Sequence, residues 1–139
     1  FCLDRELTQY IKDLAGSVHN LANSNYNDRL RTKPARFTDP LVPQIGLSHA
    51  GCIVSGDTTP HAKPHPAPLL EAARRMQVSV TECIYVGDDL RDVQAGRAAG
   101  MATVAVAWGY TGQGDVIENW GADHVIEWPH QLLQLPGLA

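Results

Sequence analysis

The sequence predicts an α/β protein built on a three-layer, Rossmann-like parallel sheet. Two observations carry this. Short apolar runs recur along its second half without polar alternation, and helical segments separate them. Runs of that kind suit strands buried on both faces, and the helices between them supply the right-handed crossovers that parallel strands need.

The elements follow in order. Leu3, Leu7, Tyr10, Ile11, Leu14, Val18 and Leu21 fall at three- and four-residue steps, which predicts a helix over Asp4 to Ala22. It ends in the polar run Asn23 to Asp28, whose side chains compete for backbone hydrogen bonds and favour turns. A short helix is expected over Phe37 to Ile45, stopped by Gly46. Cys52-Ile53-Val54 reads as a short buried strand. Pro66-Ala67-Pro68 opens a helix, because proline is tolerated in a first turn, and Leu69, Leu70, Ala73 and Met76 give it an apolar face up to Gln77. Cys83-Ile84-Tyr85-Val86 is the next strand, closed by Gly87. Leu90 to Ala99 is a helix of small residues stopped by Gly100, and Ala102 to Val106 is another buried strand. Gly114 to Trp120 is helix-like, and His124-Val125-Ile126 is the last strand. Residues 1–31 thus form an atypical helical segment, and residues 32–139 a core domain.

A chain of 139 residues suits one domain with a real core. Its 44% apolar and 19% charged residues exclude wholesale disorder and fibrous repeats. Lysine and arginine total 11 against 15 acidic residues, a net charge of −4 with no basic block, which argues against a nucleic-acid partner. Cys2, Cys52 and Cys83 form no C-x-x-C pair and are odd in number, so neither a disulfide framework nor a zinc site is indicated, and a cytoplasmic location is expected. The longest apolar stretch, Ala102 to Trp108, falls far short of the roughly 20 residues of a membrane helix. Phe1 to Glu6 lacks the order of a secretory signal, so no membrane association is expected.

In folds of this class, ligands bind beyond the carboxyl ends of the strands. After Val86, Gly87-Asp88-Asp89-Leu90-Arg91-Asp92 crowds three carboxylates where a helix begins. Such carboxylates repel one another, and Mg²⁺ is a common reason to tolerate them, with Asp88 leaving the strand first and Asp92 one turn on. The plainer alternative is that Asp89 and Asp92 complement the positive end of the helix dipole. After Val54, a turn-rich loop leads to Lys63-Pro64-His65-Pro66. Lysine is a point charge suited to phosphate, and Pro64 restricts Lys63 to extended angles that would aim its ammonium; a solvated loop lysine is the alternative. His61 and His65 flank Lys63, but a metal reading is the weaker one, since no third ligand lies nearby in sequence. Trp108-Gly109-Tyr110 lines a pocket or packs on the sheet.

The lysine loop and the acidic motif, in this order and separated by a helix, resemble the haloacid dehalogenase (HAD) superfamily of phosphohydrolases. Lys63-Pro64-His65-Pro66 is similar to its third motif, and Ile84 to Asp92 followed by Ala95 to Met101 to its fourth. With Gly109-Tyr110 and Gly121-Ala122-Asp123, the resemblance is to the phosphoglycolate phosphatase-like branch and its relatives acting on sugar phosphates. It implies a HAD-like fold and Mg²⁺-dependent phosphomonoester hydrolysis through an aspartyl-phosphate in the complete enzyme. It further implies that Lys63 steadies the nucleophile and the phosphoryl group, that Asp88 holds Mg²⁺ with Asp92 in support, and that Thr32 gives a hydroxyl to the phosphate.

The chain departs from the family at its front. The family's opening Asp-x-Asp-Gly-Thr is absent, and Phe1-Cys2-Leu3-Asp4-Arg5-Glu6-Leu7 is only a faint echo in which Cys2 would replace the nucleophile and Asp4 remain as acid/base. No strand-like run precedes Thr32, the Asn between Thr32 and Lys33 is missing, and the stretch before them is too short for a helical cap. The sheet is therefore expected to be incomplete at its amino-terminal side, with an edge open to a second copy of the chain. Two functions stay open: a phosphatase acting on a small phosphorylated metabolite, or a non-catalytic relative that binds Mg²⁺, phosphate or a protein partner. A response-regulator-like sheet is a third, opposed by Lys63 and by the whole Gly87 to Met101 segment.

Overall fold

A computed structural model describes residues 34–44, 52–109 and 116–135 of the chain. The helix expected over Asp4 to Ala22, the boundary at residue 31, the echo around Cys2 and Asp4, Thr32 and Tyr110 lie outside the described residues.

Ahead of the sheet come α1 (Ala35–Thr38), α2 (Leu41–Gln44) and α3 (Ala67–Met76). The sheet itself is β1 (Ile84–Gly87), β2 (Ala102–Val106) and β3 (His124–Ile126), with α4 (Leu90–Ala99) crossing from β1 to β2. All pairings are parallel and the order is β1-β2-β3, with Gly87 opposite Ala105 and Val106 opposite Ile126. The carboxyl ends of the strands therefore lie along one edge. The described residues form part of an α/β, Rossmann-like fold.

Alternate residues of the strands face opposite layers. Val104, Val106 and Ile126 pack with Leu132 and Leu135 from the carboxyl-terminal 3₁₀ segment Pro129–Gln134 and the residue after it, and Ile84, Val86 and Trp108 join them. On the other face, Tyr85 lies against a cluster of Leu69 and Ala73 from α3, Ala95 and Ala99 from α4, and Cys83 and Met101. Ala105 meets Val93 and Trp120. The small residues of α4 allow this close seating: a Cβ on Gly96 would lie 2.5 Å from Thr103 Cγ2 and 3.3 Å from Tyr85 Cβ. Gly100, at φ +77°, ends α4 as expected, because the left-handed turn it adopts costs a side-chain-bearing residue more.

The predicted strands Ala102 to Val106 and His124 to Ile126 form as expected, and the strand at Ile84 includes Gly87. Three expectations are corrected. The helix over Phe37 to Ile45 is instead split into α1 and α2, because Pro40 has no N–H to donate to Arg36 and cannot carry the ladder on. Cys52-Ile53-Val54 forms no strand; Arg75 Nη1 donates to Ile53 O at 3.0 Å and Cys52 Sγ to Ala72 O at 3.7 Å, which ties the segment to α3. A strand exists only with a ladder partner, and among the described residues none pairs with this segment. Within Gly114 to Trp120, the described helical structure is a 3₁₀ turn, Ile117–Trp120. Among the described residues, no helix is long and apolar enough to cross a membrane.

Candidate active site

The loop from Ser55 to Pro66 folds on its own side chains. Thr58 Oγ1 accepts from Ser55 N at 2.8 Å while Thr58 N donates to Ser55 O at 3.1 Å, and Thr59 Oγ1 donates to His61 O at 2.8 Å. Asp57 Oδ1 accepts from Ala35 N at 2.8 Å, joining the loop to the start of α1. Around the lysine, the segment turns instead of extending: the Lys63–Pro64 peptide is cis, and His65 N donates to Ala62 O at 3.0 Å. The turn stacks His61 on His65, with ring centroids 4.5 Å apart. His65 Nδ1 accepts from Ala67 N at 3.1 Å, so one of its nitrogens is committed to the start of α3.

Lys63 is carried to the carboxyl edge of β1, where its ammonium pairs with Asp92 Oδ1. The Asp92 side chain is 5% exposed and that of Lys63 30%, so the carboxylate is enclosed while the lysine still reaches solvent. Tyr85 OH donates to the same Oδ1 at 3.2 Å. Burial, then the Asp92 carboxylate, holds the Tyr85 phenol well above its ordinary range, so it stays a donor.

The three crowded carboxylates part company in the fold. Asp89 is the N-cap of α4, accepting from Arg91 N at 2.8 Å, and its other oxygen pairs with Arg91 Nη2 at 2.8 Å. For Asp89 the helix-terminus alternative is the one observed, with a hydrogen bond as well as a dipole. Asp92 turns inward to Lys63 and Tyr85, and Asp88 lies against Gly109. The three carboxylates thus take different partners. Among the described residues, no three His, Cys, Asp or Glu side chains gather as a metal-holding group.

Glycines keep the remaining two carboxylates seated. A Cβ on Gly87 would come within 2.5 Å of Asp92 Cγ, and one on Gly109 within 2.6 Å of Asp88 Cγ. Asp88 and Asp92 are hard oxygen donors at one strand end, and Mg²⁺ is commonly bound by one or two carboxylates plus waters and substrate phosphate, so the donor set fits that ion. Trp108 packs on the sheet with Val104 and Val106, the packing alternative.

Residues 3–106 match the model of the family described as haloacid dehalogenase-like hydrolase. The chain belongs to the haloacid dehalogenase-like hydrolases. The match also runs through the amino-terminal segment that sequence patterning sets apart. A phosphoglycolate phosphatase of Xylella fastidiosa (strain Temecula1) is 39% identical over 128 residues, 91% of this chain and 52% of that protein. One from Xanthomonas campestris pv. campestris (strain 8004) is 46% identical over 101 residues, 72% of this chain and 46% of the relative. An N-acetylmuramic acid 6-phosphate phosphatase of Pseudomonas putida is 40% identical over 101 residues, covering 72% and 45%. The chain thus spans about half the length of these relatives. The crystal structure of a predicted phosphoglycolate phosphatase from Haemophilus somnus 129PT superposes with a TM-score of 0.67 at 26% identity, over 74% of this chain and 46% of that one. A β-phosphoglucomutase from Clostridium difficile shares the fold, with a TM-score of 0.59 at 20% identity over 83% and 50%.

Of the four site residues expected from the sequence, the fold brings Lys63 and Asp92 into contact and sets Asp88 just after β1, while Thr32 lies outside the described residues. Sequence reasoning named Gly87 and Gly109 among the motifs but missed how closely they seat Asp92 and Asp88, and it missed the contact of Tyr85 with Asp92. Tyr85 looks like any aromatic of a buried strand; only its spacing of seven from Asp92, spanning a strand end and a helical turn, hints at the contact.

Proposed function

We propose that this chain supplies part of the catalytic core of a Mg²⁺-dependent phosphomonoesterase, phosphoglycolate phosphatase-like, that acts through an aspartyl-phosphate in the complete enzyme. The observation that carries the reading is the pairing of Lys63 with Asp92 across 29 residues of sequence, at the strand edge where Asp88 also stands. Asp88, with Asp92 in support, would hold Mg²⁺, which when bound neutralises charge on the phosphate. Lys63 places a cation beside the transferring phosphoryl group, and Asp92 fixes where that ammonium sits. Thr32 would donate its hydroxyl to a phosphate oxygen. The nucleophile belongs to an Asp-x-Asp-Gly-Thr motif that these 139 residues do not contain. The names of the relatives point to a small phosphorylated metabolite, phosphoglycolate or a sugar phosphate such as N-acetylmuramic acid 6-phosphate.

Phosphate release from these two substrates and from an aryl phosphate, with and without Mg²⁺, tests the reading beside Asp88→Asn and Lys63→Met. In the complete enzyme, turnover that Asp88→Asn abolishes and Lys63→Met lowers about a hundredfold supports it, as does Mg²⁺ binding by these 139 residues that Asp88→Asn removes. A folded chain that neither hydrolyses these esters nor binds Mg²⁺ overturns it. A complete enzyme that binds Mg²⁺ and hydrolyses none of these esters identifies the second reading, a non-catalytic relative.

A further inference from the structure

We propose that Tyr85 is a positioning residue, whose phenol orients Asp92 so that one carboxylate oxygen stays with Lys63 and the other is presented to Mg²⁺ or a water bound to it. The inference rests on the function proposed above and adds a residue to its site.

Asp92 Oδ1 accepts from both the Tyr85 hydroxyl, at 3.2 Å, and the Lys63 ammonium. Two donors on one oxygen fix the plane of the carboxylate, which a single contact from a flexible lysine does not. The second oxygen lies on the side of Gly87, where a Cβ would come within 2.5 Å of it. Tyr85 is itself held in place. A Cβ on Gly96 would lie 3.3 Å from Tyr85 Cβ and 3.4 Å from Cδ1, so α4 rides directly on the ring. Gly96 is one helical turn beyond Asp92, and the same helix face therefore both seats the ring and supplies the carboxylate that the phenol reaches.

Two effects of the phenol on cation binding oppose each other. Orientation favours binding, whereas the hydrogen bond withdraws electron density and makes the carboxylate a weaker donor. The buried, doubly anchored geometry points to orientation as the larger effect.

The test uses the 139-residue chain carrying ¹³Cζ-labelled tyrosine, with Mg²⁺ binding followed by calorimetry. The Tyr85 line is the one that persists through Tyr10→Phe, Tyr26→Phe and Tyr110→Phe in turn, and Tyr85→Phe keeps the ring and its packing. Asp92→Asn is expected to move that line upfield, and Tyr85→Phe to weaken Mg²⁺ binding about fivefold with the thermal midpoint nearly unchanged. A Tyr85 line indifferent to Asp92→Asn removes the contact, and this measurement stands even if Tyr85→Phe fails to fold. Unchanged or tighter Mg²⁺ binding by folded Tyr85→Phe removes the positioning role alone. Wild-type chain that binds no Mg²⁺ removes the metal reading of the site, and this inference with it.

Discussion

The two edges of the sheet each hold a carboxylate engaged by more than one donor, and they use it differently. At the amino edge, Asp123 Oδ2 accepts from Thr103 N at 2.7 Å and from its hydroxyl at 2.8 Å, while Asp123 N donates back to Thr103 Oγ1 at 3.2 Å. At the carboxyl edge, Asp92 is engaged by the side chains of Lys63 and Tyr85. The first is a latch: backbone and a fully buried threonine fix where β3 starts against β2, and Arg97 Nη1 donates to the neighbouring Gly121 O. The second depends on a lysine delivered by a distant loop that still reaches solvent. The first carboxylate is held by one neighbouring residue, backbone and hydroxyl together, whereas the second joins a loop, a strand and a helix at the strand ends.

The strongest way to break the carboxyl edge is to fill the space that Asp92 occupies. Gly87→Ala puts a methyl on Asp92 Cβ and is expected to cost about 3 kcal/mol in chemical denaturation and to abolish Mg²⁺ binding. Next is Gly96→Ala, which presses on both Thr103 and Tyr85 and so on both edges. A loss of about 2 kcal/mol together with weaker Mg²⁺ binding is expected, since strain in a well-packed helix seat is shared by its neighbours. Asp123→Ala strips Thr103 of two hydrogen bonds, one of them to a backbone N–H, at about 1 to 2 kcal/mol. Its Mg²⁺ affinity should equal that of wild type in calorimetry, and a weakened one would show that the two edges are coupled.

The smallest effect is in acid. Its hydrogen bonds from Thr103, hydroxyl and then backbone, hold the Asp123 carboxyl below the usual carboxylate range. A group depressed in the folded state adds stability that is fully present above its unfolded pKa of about 3.9 and is lost as pH falls through the lower folded value. Asp123→Asn should therefore flatten the decline of stability below about pH 4 in urea midpoints and leave the neutral range with a pH-independent offset. Asp123 is exposed, so the slope change is modest.

Local chemistry made much of this fold legible. The apolar run Ala102 to Val106, the small-residue helix ending at Gly100 and the proline-initiated α3 form where patterning puts them, because burial on both faces and helix stop signals act within a few residues. Cys52-Ile53-Val54 has the composition of a strand, but a strand is a property of a pair, and its neighbour in space is α3. Pro40 stands inside the span expected to be one helix and divides it, since it has no N–H to donate.

The acidic motif divides in the same way. By itself the sequence determined the family, and its motifs marked Lys63, Asp88 and Asp92 as candidates for a site at strand ends. Only the tertiary structure decided how the carboxylates separate: Asp89 caps a helix, Asp92 turns to Lys63 and Tyr85, and Asp88 nests against Gly109. Each of the last two partnerships joins segments remote in the chain, and the glycines matter for the side chain they lack. Those choices depend on which groups reach the same few ångströms of space, a quantity fixed by the packing of α4 on the sheet and carried by no single stretch of sequence.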